Sequence, residues 1–281
     1  MLKIGFIDHF LDGWHSENYP GWIREIGKDA YEVAYAYGDI EPDIAGKRSN
    51  AQFCEDHGIE LLDSIEAVVE RSDCLIVLAP NNPETHLRLA TKALESGKPT
   101  FIDKTFADSV ESGQAMFDIA RKHGTPMFSS SALRFSAAYQ NLPDKAVRQL
   151  VSYGGGTPKD YIIHQLEPLI MLLQVGAERA LVWGEGSSMT YLLEMSNGVK
   201  VTLLQGPDQS FGMSFNYGDE IKTVQADDAF FLRQTAAMLE FFRTGLEGKA
   251  VLPATEQETM LIMATRDLLM RALEKQGEWV R

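Results

Sequence analysis

The chain has 281 residues, of which 40 are acidic and 26 basic, so its formal net charge is −14 at pH 7. A surface this acidic repels phosphate backbones and anionic lipids, which argues against nucleic acid or a membrane as a partner. No apolar run reaches the roughly 18 residues needed to cross a bilayer, and the polar start lacks a signal peptide, so we expect a cytoplasmic protein. The two cysteines, Cys54 and Cys74, are too few for a disulfide framework and fit reduced, structural residues.

Strand and helix patterns alternate through residues 1–128. Apolar runs predict strands over 2–7, 31–37, 74–79 and 100–102. Helices are predicted over 45–57, after a Ser64 cap, after Asn82-Pro83, and from an Asp108/Glu111 capping box to Gly124. This alternation predicts an α/β, Rossmann-like domain with a doubly wound parallel sheet.

Residues 129–281 have a different pattern. Strand-like segments at 181–183, 189–195, 199–204, 211–217 and 220–225 are joined in part by hairpin signals, and helices close the chain over 229–245 and 256–276. We predict an α+β domain with an open, mainly antiparallel sheet. Because such a sheet has one uncovered apolar face, we also expect a homo-oligomer, either a dimer or a tetramer.

Lys104 follows the predicted strand Thr100-Phe101-Ile102. In doubly wound folds, ligands bind at the carboxyl edge of the sheet, where this lysine would lie. A lysine there can donate to a substrate hydroxyl and stabilise a developing oxyanion. A solvated loop lysine is the structural alternative.

Asp160 and His164 are four residues apart, so they share one face of a helix that is otherwise strongly apolar. Histidine is the side chain best suited to exchange protons near neutral pH. A histidine satisfied within the core is the structural alternative.

Together these features resemble the Gfo/Idh/MocA oxidoreductases. The family's Glu-Lys-Pro motif matches Asp103-Lys104-Thr105, and its Gly-Gly-x-x-x-Asp-x-x-x-His-x-x-Asp segment matches Gly155 to Glu167. The segment from Ala79 to His86, the Arg134-Phe135 pair and the two closing helices resemble further parts of the family. The resemblance covers most of residues 60–281.

The resemblance implies an NAD(P)-dependent enzyme that transfers hydride between a nicotinamide and a hydroxyl or keto group of a sugar, inositol or related polyol. His164 would be the general base, Lys104 would position the hydroxyl and Asp160 would orient its neighbours, at a site between the two domains. The expected cofactor-binding residues are Ile7, Phe10, Gly13, Asp39, Pro80, Asn81, Asn82, His86 and Lys104. The expected substrate-binding residues are Lys104, Arg134, His164, Trp14 and His15. Asp39 would accept a ribose hydroxyl and favour NAD over NADP.

The loop after the first strand departs from the family. Asp8 and Phe10 replace the first two glycines of Gly-x-Gly-x-x-Gly, only Gly13 remains, and Asp8 and Asp12 add negative charge where phosphate should lie. Residues 9–22 form a polar and aromatic loop that could bind a sugar or a rearranged nucleotide, or could pack on its own aromatic rings. Metal binding is not expected, because His9 and His15 lack a third ligand at suitable spacing. The alternative function is a non-catalytic sugar-binding or regulatory protein that has lost the dinucleotide.

Overall fold

A computed structural model describes residues 1–281, which divide into two compact units. Unit 1 contains Met1–Ser130 and Leu232–Glu256, and unit 2 contains Ser131–Phe231 and Gln257–Arg281. The predicted boundary at 128/129 lies two residues before the first change of unit. The segment Leu232–Glu256, which the prediction placed in the second domain, belongs to unit 1.

Unit 1 alternates strands with helices. Its elements are β1 (Leu2–Asp8), α1 (Trp14–Gly27), β2 (Tyr31–Gly38), α2 (Asn50–His57), β3 (Glu60–Leu61), α3 (Ile65–Arg71), β4 (Cys74–Val77), α4 (His86–Leu94), β5 (Thr100–Ile102), α5 (Val110–His123) and β6 (Met127–Ser129). The strands are parallel in the order β3-β2-β1-β4-β5-β6. This is the strand order of the Rossmann fold, and the predicted doubly wound sheet is confirmed.

Several predicted boundaries shift. The helix predicted from residue 45 begins at Asn50, because the Ser49 side chain accepts the Gln52 amide and forms the cap. Ser109, and not Asp108, caps α5. The turn after Asn82 is a 3₁₀ turn over Pro83–Thr85 without an Asn82 side-chain cap, and α4 starts at His86.

The aromatic loop predicted over residues 9–22 is largely a helix. His15, Tyr19 and Ile23 recur every four residues on the buried face of α1. Tyr19 is fully buried, and its hydroxyl contacts Oε1 of Gln234 at 3.3 Å. Much of the aromatic surface in this segment therefore packs into the core of unit 1.

The segment Leu232–Glu256 begins within α7 (Phe230–Leu246) and completes the core of unit 1. The rings of Phe241 and Phe128 meet edge to face with centroids 4.8 Å apart. Met238, Leu239 and Phe242 are buried in the same cluster. The apolar face of α7 explains why this segment is part of the first unit.

Unit 2 is built on a six-stranded mixed sheet. Its strands are β7 (Gln149–Gly155), β8 (Ala177–Glu185), β9 (Ser188–Met195), β10 (Lys200–Gly206), β11 (Gly212–Asn216) and β12 (Ile221–Gln225), in the order β12-β11-β7-β10-β9-β8. All neighbours are antiparallel except β7 and β10. Helices α6 (Pro158–Leu173) and α8 (Glu256–Leu273) share one core with the sheet. The predicted open, mainly antiparallel sheet is confirmed, although β7 was not predicted.

None of the helices is long and apolar enough to pass through a membrane. Cys54 and Cys74 are free and buried, and burial raises the pKa of their thiols to about 11 and about 12. Neither thiol is therefore ionised near neutral pH.

Candidate functional site

In unit 1 the candidate residues lie at the carboxyl edge of the parallel sheet. The strand order reverses between β1 and β4, which leaves a crevice at this edge. The loops after β1, β2, β4 and β5 all meet this edge. They carry the expected cofactor residues.

Asp8, at the first position of the glycine motif, is turned into the protein. Its Oδ1 accepts the backbone amides of His9 at 2.7 Å and Ala79 at 2.9 Å. Burial raises the pKa of Asp8 to about 8. The carboxyl group is therefore mostly protonated at pH 7, and the negative charge expected here from the sequence is largely absent.

Asp12 remains ionised, and neighbouring basic side chains compensate its negative charge. Its carboxylate accepts the Arg48 backbone amide at 3.0 Å and the Arg48 Nε at 3.1 Å, and Lys47 contributes a second positive charge at 3.9 Å. Burial would raise the pKa of Asp12, but the hydrogen bonds from Arg48 hold it below its ordinary value. The repulsion of phosphate predicted from Asp12 is thereby offset.

The amides of this loop are partly engaged within the protein. The Leu11 amide donates to Asn50 Oδ1 at 2.9 Å, and the Gly13 amide donates to the Leu11 carbonyl at 2.8 Å. Gly13 is the N-cap of α1, whose N-terminus is the phosphate-binding element of such folds. Ile7 has no exposed side chain, so it could contribute only through its backbone, and Phe10 is half-buried.

Asp39 follows β2, as expected for a ribose-binding acid. Both of its oxygens accept from Arg88, at 2.7 and 2.6 Å, and Nδ1 of His9 lies 3.5 Å from Oδ2. The Arg88 hydrogen bonds lower the pKa of Asp39, so it is ionised at neutral pH. Arg88 was not among the predicted residues.

The loop after β4 carries Pro80, Asn81 and Asn82, which are at least partly exposed at the sheet edge. His86 differs, because it has no exposed surface. Its Nδ1 lies 2.9 Å from the Phe106 carbonyl, and Nε2 lies against the Leu78 carbonyl. Burial lowers the pKa of His86. In this structure His86 connects two loops and cannot contact a ligand directly.

Lys104 follows β5 and is only 7% exposed. Its backbone amide donates to Asp103 Oδ1 at 2.8 Å, and the Lys104–Thr105 peptide bond is cis. Nδ1 of His15 lies against the other oxygen of Asp103. His15, predicted to bind substrate, is thus buried beside the residue that precedes Lys104, whereas its neighbour Trp14 is 55% exposed.

In unit 2, Asp160 and His164 lie on one face of α6, as predicted. Asp160 occupies the first turn, where the helix dipole favours a carboxylate, and its Oδ2 accepts from Thr157 Oγ1 at 2.9 Å. Apolar residues on the rest of the helix anchor it in the core of unit 2. The backbone of α6 therefore places both polar side chains.

His164 is half-buried and flanked by two aromatic rings. The centroids of Tyr161 and Phe211 lie 5.4 and 5.7 Å from that of His164. Gly154 and Gly156 leave room for these two rings. A Cβ on Gly154 would lie 2.4 Å from the Phe211 ring, and a Cβ on Gly156 would lie 2.1 Å from Tyr161. Gly156 also has φ +89°, which favours glycine.

Ser131 contacts His164 directly. Its Oγ lies 2.7 Å from Nδ1 of His164 and also accepts the Leu133 amide at 3.3 Å. Ser131 is fully buried and caps a short 3₁₀ turn. Sequence reasoning missed it, because a serine 33 residues before the histidine carries no local signal.

Arg134, predicted to bind substrate, is only 4% exposed. Its guanidinium pairs with Glu167 at 2.7 Å and with Glu258 at 3.2 Å. Burial raises the pKa of Glu167 despite the neighbouring Arg134. In this structure the side chain is therefore used within the core of unit 2, and substrate binding by Arg134 stays a prediction.

The residues of unit 1 fit a nicotinamide dinucleotide in three respects. Asp39 follows β2, where such folds carry a ribose-binding acid, Gly13 is the N-cap of α1, where they bind phosphate, and Lys104 follows β5. Of the two carboxyl groups that would repel phosphate, Asp8 is mostly protonated and Asp12 is paired with Arg48. No cluster of three or more His, Cys, Asp or Glu side chains that could hold a metal ion occurs.

Comparisons with known proteins identify a matching family and the fold. Residues 44–130 match the GFO_IDH_MocA family, described as an oxidoreductase family with an NAD-binding Rossmann fold. No protein of curated function matches the sequence significantly.

Solved structures resemble the chain over its whole length. UDP-N-acetylglucosamine 3-dehydrogenase from Acidithiobacillus ferrooxidans has a TM-score of 0.79 and 16% identity, with 98% of each chain covered. Scyllo-inositol dehydrogenase from Lactobacillus casei, solved with NAD(H) and scyllo-inositol, has a TM-score of 0.78 and 13% identity, covering 100% of this chain and 98% of that one. A putative myo-inositol dehydrogenase from Sinorhizobium meliloti 1021 has a TM-score of 0.76 and 13% identity, covering 100% and 99%.

At these identities the likeness shows the fold. Together with the family match, it confirms the resemblance found in the sequence: residues 44–130 match the family model of the Gfo/Idh/MocA oxidoreductases, and the whole chain has the fold of the dehydrogenases named above.

Proposed function

We propose that this protein is an NAD(P)-dependent oxidoreductase that interconverts a hydroxyl and a keto group on a sugar, inositol or related polyol. The observation that carries the proposal is the group on α6, in which Asp160 and a half-buried His164 share a face and Ser131 holds Nδ1 of His164. An imidazole oriented in this way is suited to proton transfer. The family match to an NAD-binding oxidoreductase supports the same chemistry.

His164 acts as the general base in the direction of oxidation. With Nδ1 at Ser131, Nε2 takes the proton from the substrate hydroxyl, and in reduction it returns that proton. A bound nicotinamide would supply the hydride acceptor for the carbon that carries the hydroxyl, and the hydride donor in the direction of reduction.

Lys104 donates to the substrate oxygen and stabilises the negative charge that develops as the proton leaves. Asp160 orients its neighbours from the first turn of α6. Asp103 and His15 hold the loop that carries Lys104.

Several residues would hold the cofactor. Asp39 would bind the adenosine ribose, the N-terminus of α1 at Gly13 would receive the phosphates, and Pro80, Asn81 and Asn82 would border the sheet edge. Trp14, exposed at the start of α1, offers an aromatic face to a sugar ring. The solved structures with this fold include dehydrogenases of an amino sugar nucleotide and of inositols, which supports a polyhydroxylated substrate.

One observation favours a second candidate, a non-catalytic sugar-binding or regulatory protein. The amides of Leu11 and Gly13 already donate within the protein, so fewer remain for a pyrophosphate than in a Gly-x-Gly-x-x-Gly loop. This candidate predicts sugar binding without nicotinamide binding or turnover.

The decisive experiment measures NAD and NADP binding by calorimetry and then turnover on a panel of sugars and inositols. We expect binding below millimolar concentration, and loss of turnover in His164→Ala with the unfolding transition unchanged. His123→Ala, an exposed histidine at the end of α5, is the matched control and should keep full activity. Absence of nicotinamide binding at millimolar concentration would contradict the proposal.

We also propose a homo-oligomer formed through the open face of the unit 2 sheet. Trp183 and Leu204 both pair with Thr190 from opposite sides, so the three side chains form one row on that face. Trp183 is 43% and Leu204 41% exposed. Apolar surface of this kind is covered by association in many proteins.

A further inference from the structure

Arg88 covers Asp39, the acid expected to bind the ribose. Arg88, on the first turns of α4, donates from Nη1 and Nη2 to the two oxygens of Asp39 at 2.7 and 2.6 Å. This is the two-pronged geometry that guanidinium and carboxylate groups favour. Asp39 lies directly after β2, at the position of the ribose-binding acid.

The pair changes the charge at this end of the sheet. A lone carboxylate after β2 repels the 2′-phosphate of NADP and thereby favours NAD. Arg88 cancels that charge. Only two of its five N–H groups are used by Asp39, and its side chain is 58% exposed whereas that of Asp39 is 13% exposed. A phosphate approaching this edge therefore meets a guanidinium before it meets the acid.

His9 adds a second nitrogen beside the pair. Its Nδ1 lies 3.5 Å from Asp39 Oδ2 and is buried without a hydrogen-bond partner. The backbone amides of Asp39 and Ile40 donate to the carbonyls of Asp8 and His9, at 2.9 Å each, which fixes the end of β2 against the end of β1. These contacts join three side chains into one cluster. We call this cluster of Asp39, Arg88 and His9 the β2-end group.

We infer that Arg88 is a specificity-determining residue that lets the β2-end group accept the 2′-phosphate of NADP. The inference rests on the proposed function. Arg88 donates its exposed N–H groups to the phosphate while Asp39 holds the guanidinium in place. Sequence reasoning favoured NAD from Asp39 alone, and the Arg88 contact reverses that preference, so the protein binds NADP at least as tightly as NAD.

The test compares binding of NAD and NADP, and of AMP and adenosine 2′,5′-bisphosphate, by calorimetry. In Arg88→Gln, NADP and the bisphosphate should bind roughly 10–100-fold more weakly, the magnitude of lost charge-assisted hydrogen bonds, while NAD and AMP change by less than about 3-fold. Lys92→Gln removes the same charge from an exposed position on the same helix and should leave all four affinities unchanged. Asp39→Asn should weaken NAD more than NADP.

The outcomes separate this inference from the proposed function. Arg88→Gln could weaken binding of both members of each pair equally, or could change the four affinities no more than Lys92→Gln does. In either case Arg88 does not bind the 2′-phosphate, and the inference is overturned while the oxidoreductase proposal stands. If the wild-type protein binds none of the four nucleotides, both are overturned. Selective loss of the 2′-phosphorylated ligands supports the inference, since a purely structural role would not distinguish them.

Discussion

The hydroxyl of Ser131 lies 2.7 Å from Nδ1 of His164, and the serine has no exposed surface. A hydroxyl can donate to a bare nitrogen or accept from a protonated one, so this contact tolerates both tautomers and the imidazolium. It fixes the ring without adding a negative charge next to it. The arrangement suits a histidine that must gain and lose a proton in each cycle.

Ser131→Ala should remove that restraint while leaving the fold intact. On the proposed mechanism, kcat/KM falls roughly 2–10-fold, mostly through kcat, as expected for one neutral hydrogen bond. Nitrogen NMR of the His164 ring should show a changed tautomer balance, a readout that does not need substrate. Ser131→Thr should recover most of the loss.

Ser214→Ala, which removes a hydroxyl from an exposed contact with Thr223, is the control and should change neither quantity. Unaltered His164 nitrogen shifts in Ser131→Ala would show that the serine does not set the ring's protonation.

Arg134→Ala should destabilise the protein strongly. It leaves Glu167 and Glu258 buried without their cation, and breaking a buried pair in this way typically costs about 3–5 kcal/mol. Denaturant unfolding measures the free energy. Arg271→Ala, which removes an exposed i,i+4 pair with Asp267, should cost about 0.5 kcal/mol or less. Equal losses for the two variants would argue against the buried network.

Asp8 makes the stability of the protein depend on pH in a defined direction. Its pKa is about 8 in the folded state against an ordinary value of 3.8, so the folded state binds the extra proton between these values. The free energy of unfolding therefore falls as pH rises from about 4 to about 8, by up to roughly 1.4 kcal/mol for each pH unit.

Asp8→Asn should remove this contribution. The variant should lose less stability than the wild type between pH 5.5 and 8, measured by urea unfolding at each pH. Asp29→Asn, at an exposed position, should follow the wild-type profile. Parallel profiles for Asp8→Asn and the wild type would mean that Asp8 ionises normally.

Leu204→Glu should separate the proposed oligomer. A charge in the row formed by Trp183, Thr190 and Leu204 disfavours burial of that face, whereas the core of unit 2 lies on the opposite face of the sheet. Light scattering should give a larger mass for the wild type than for the variant, with similar unfolding curves. A wild-type protein that is strictly monomeric would contradict the proposal.

The sequence was informative where local chemistry decides structure. The apolar runs at β4 and β5 and the four-residue spacing of Asp160 and His164 predicted their elements, because burial and helix geometry act within a few residues. The spacing of His15, Tyr19 and Ile23 could also have indicated α1, although Pro20 and the polar residues between them obscured it.

Contacts between distant residues were not predictable in the same way. Arg134 meets Glu167 and Glu258, and Arg88 meets Asp39, only because the fold brings them together. A resemblance of motifs assigned Arg134 to the substrate and left Arg88 unnoticed. Charge on a single residue therefore says little about a site until its partner is known.

The return of residues 232–256 to unit 1 has a consequence for how the protein is made. The core of unit 1 includes Phe241 and Phe242, so it stays incomplete until more than 240 residues have been synthesised. A ribosome-bound chain that ends at residue 130 exposes the apolar surface that α7 later covers. Unit 1 therefore cannot complete its core before α7 has been synthesised, and a fragment cut at the apparent domain boundary would expose this surface permanently.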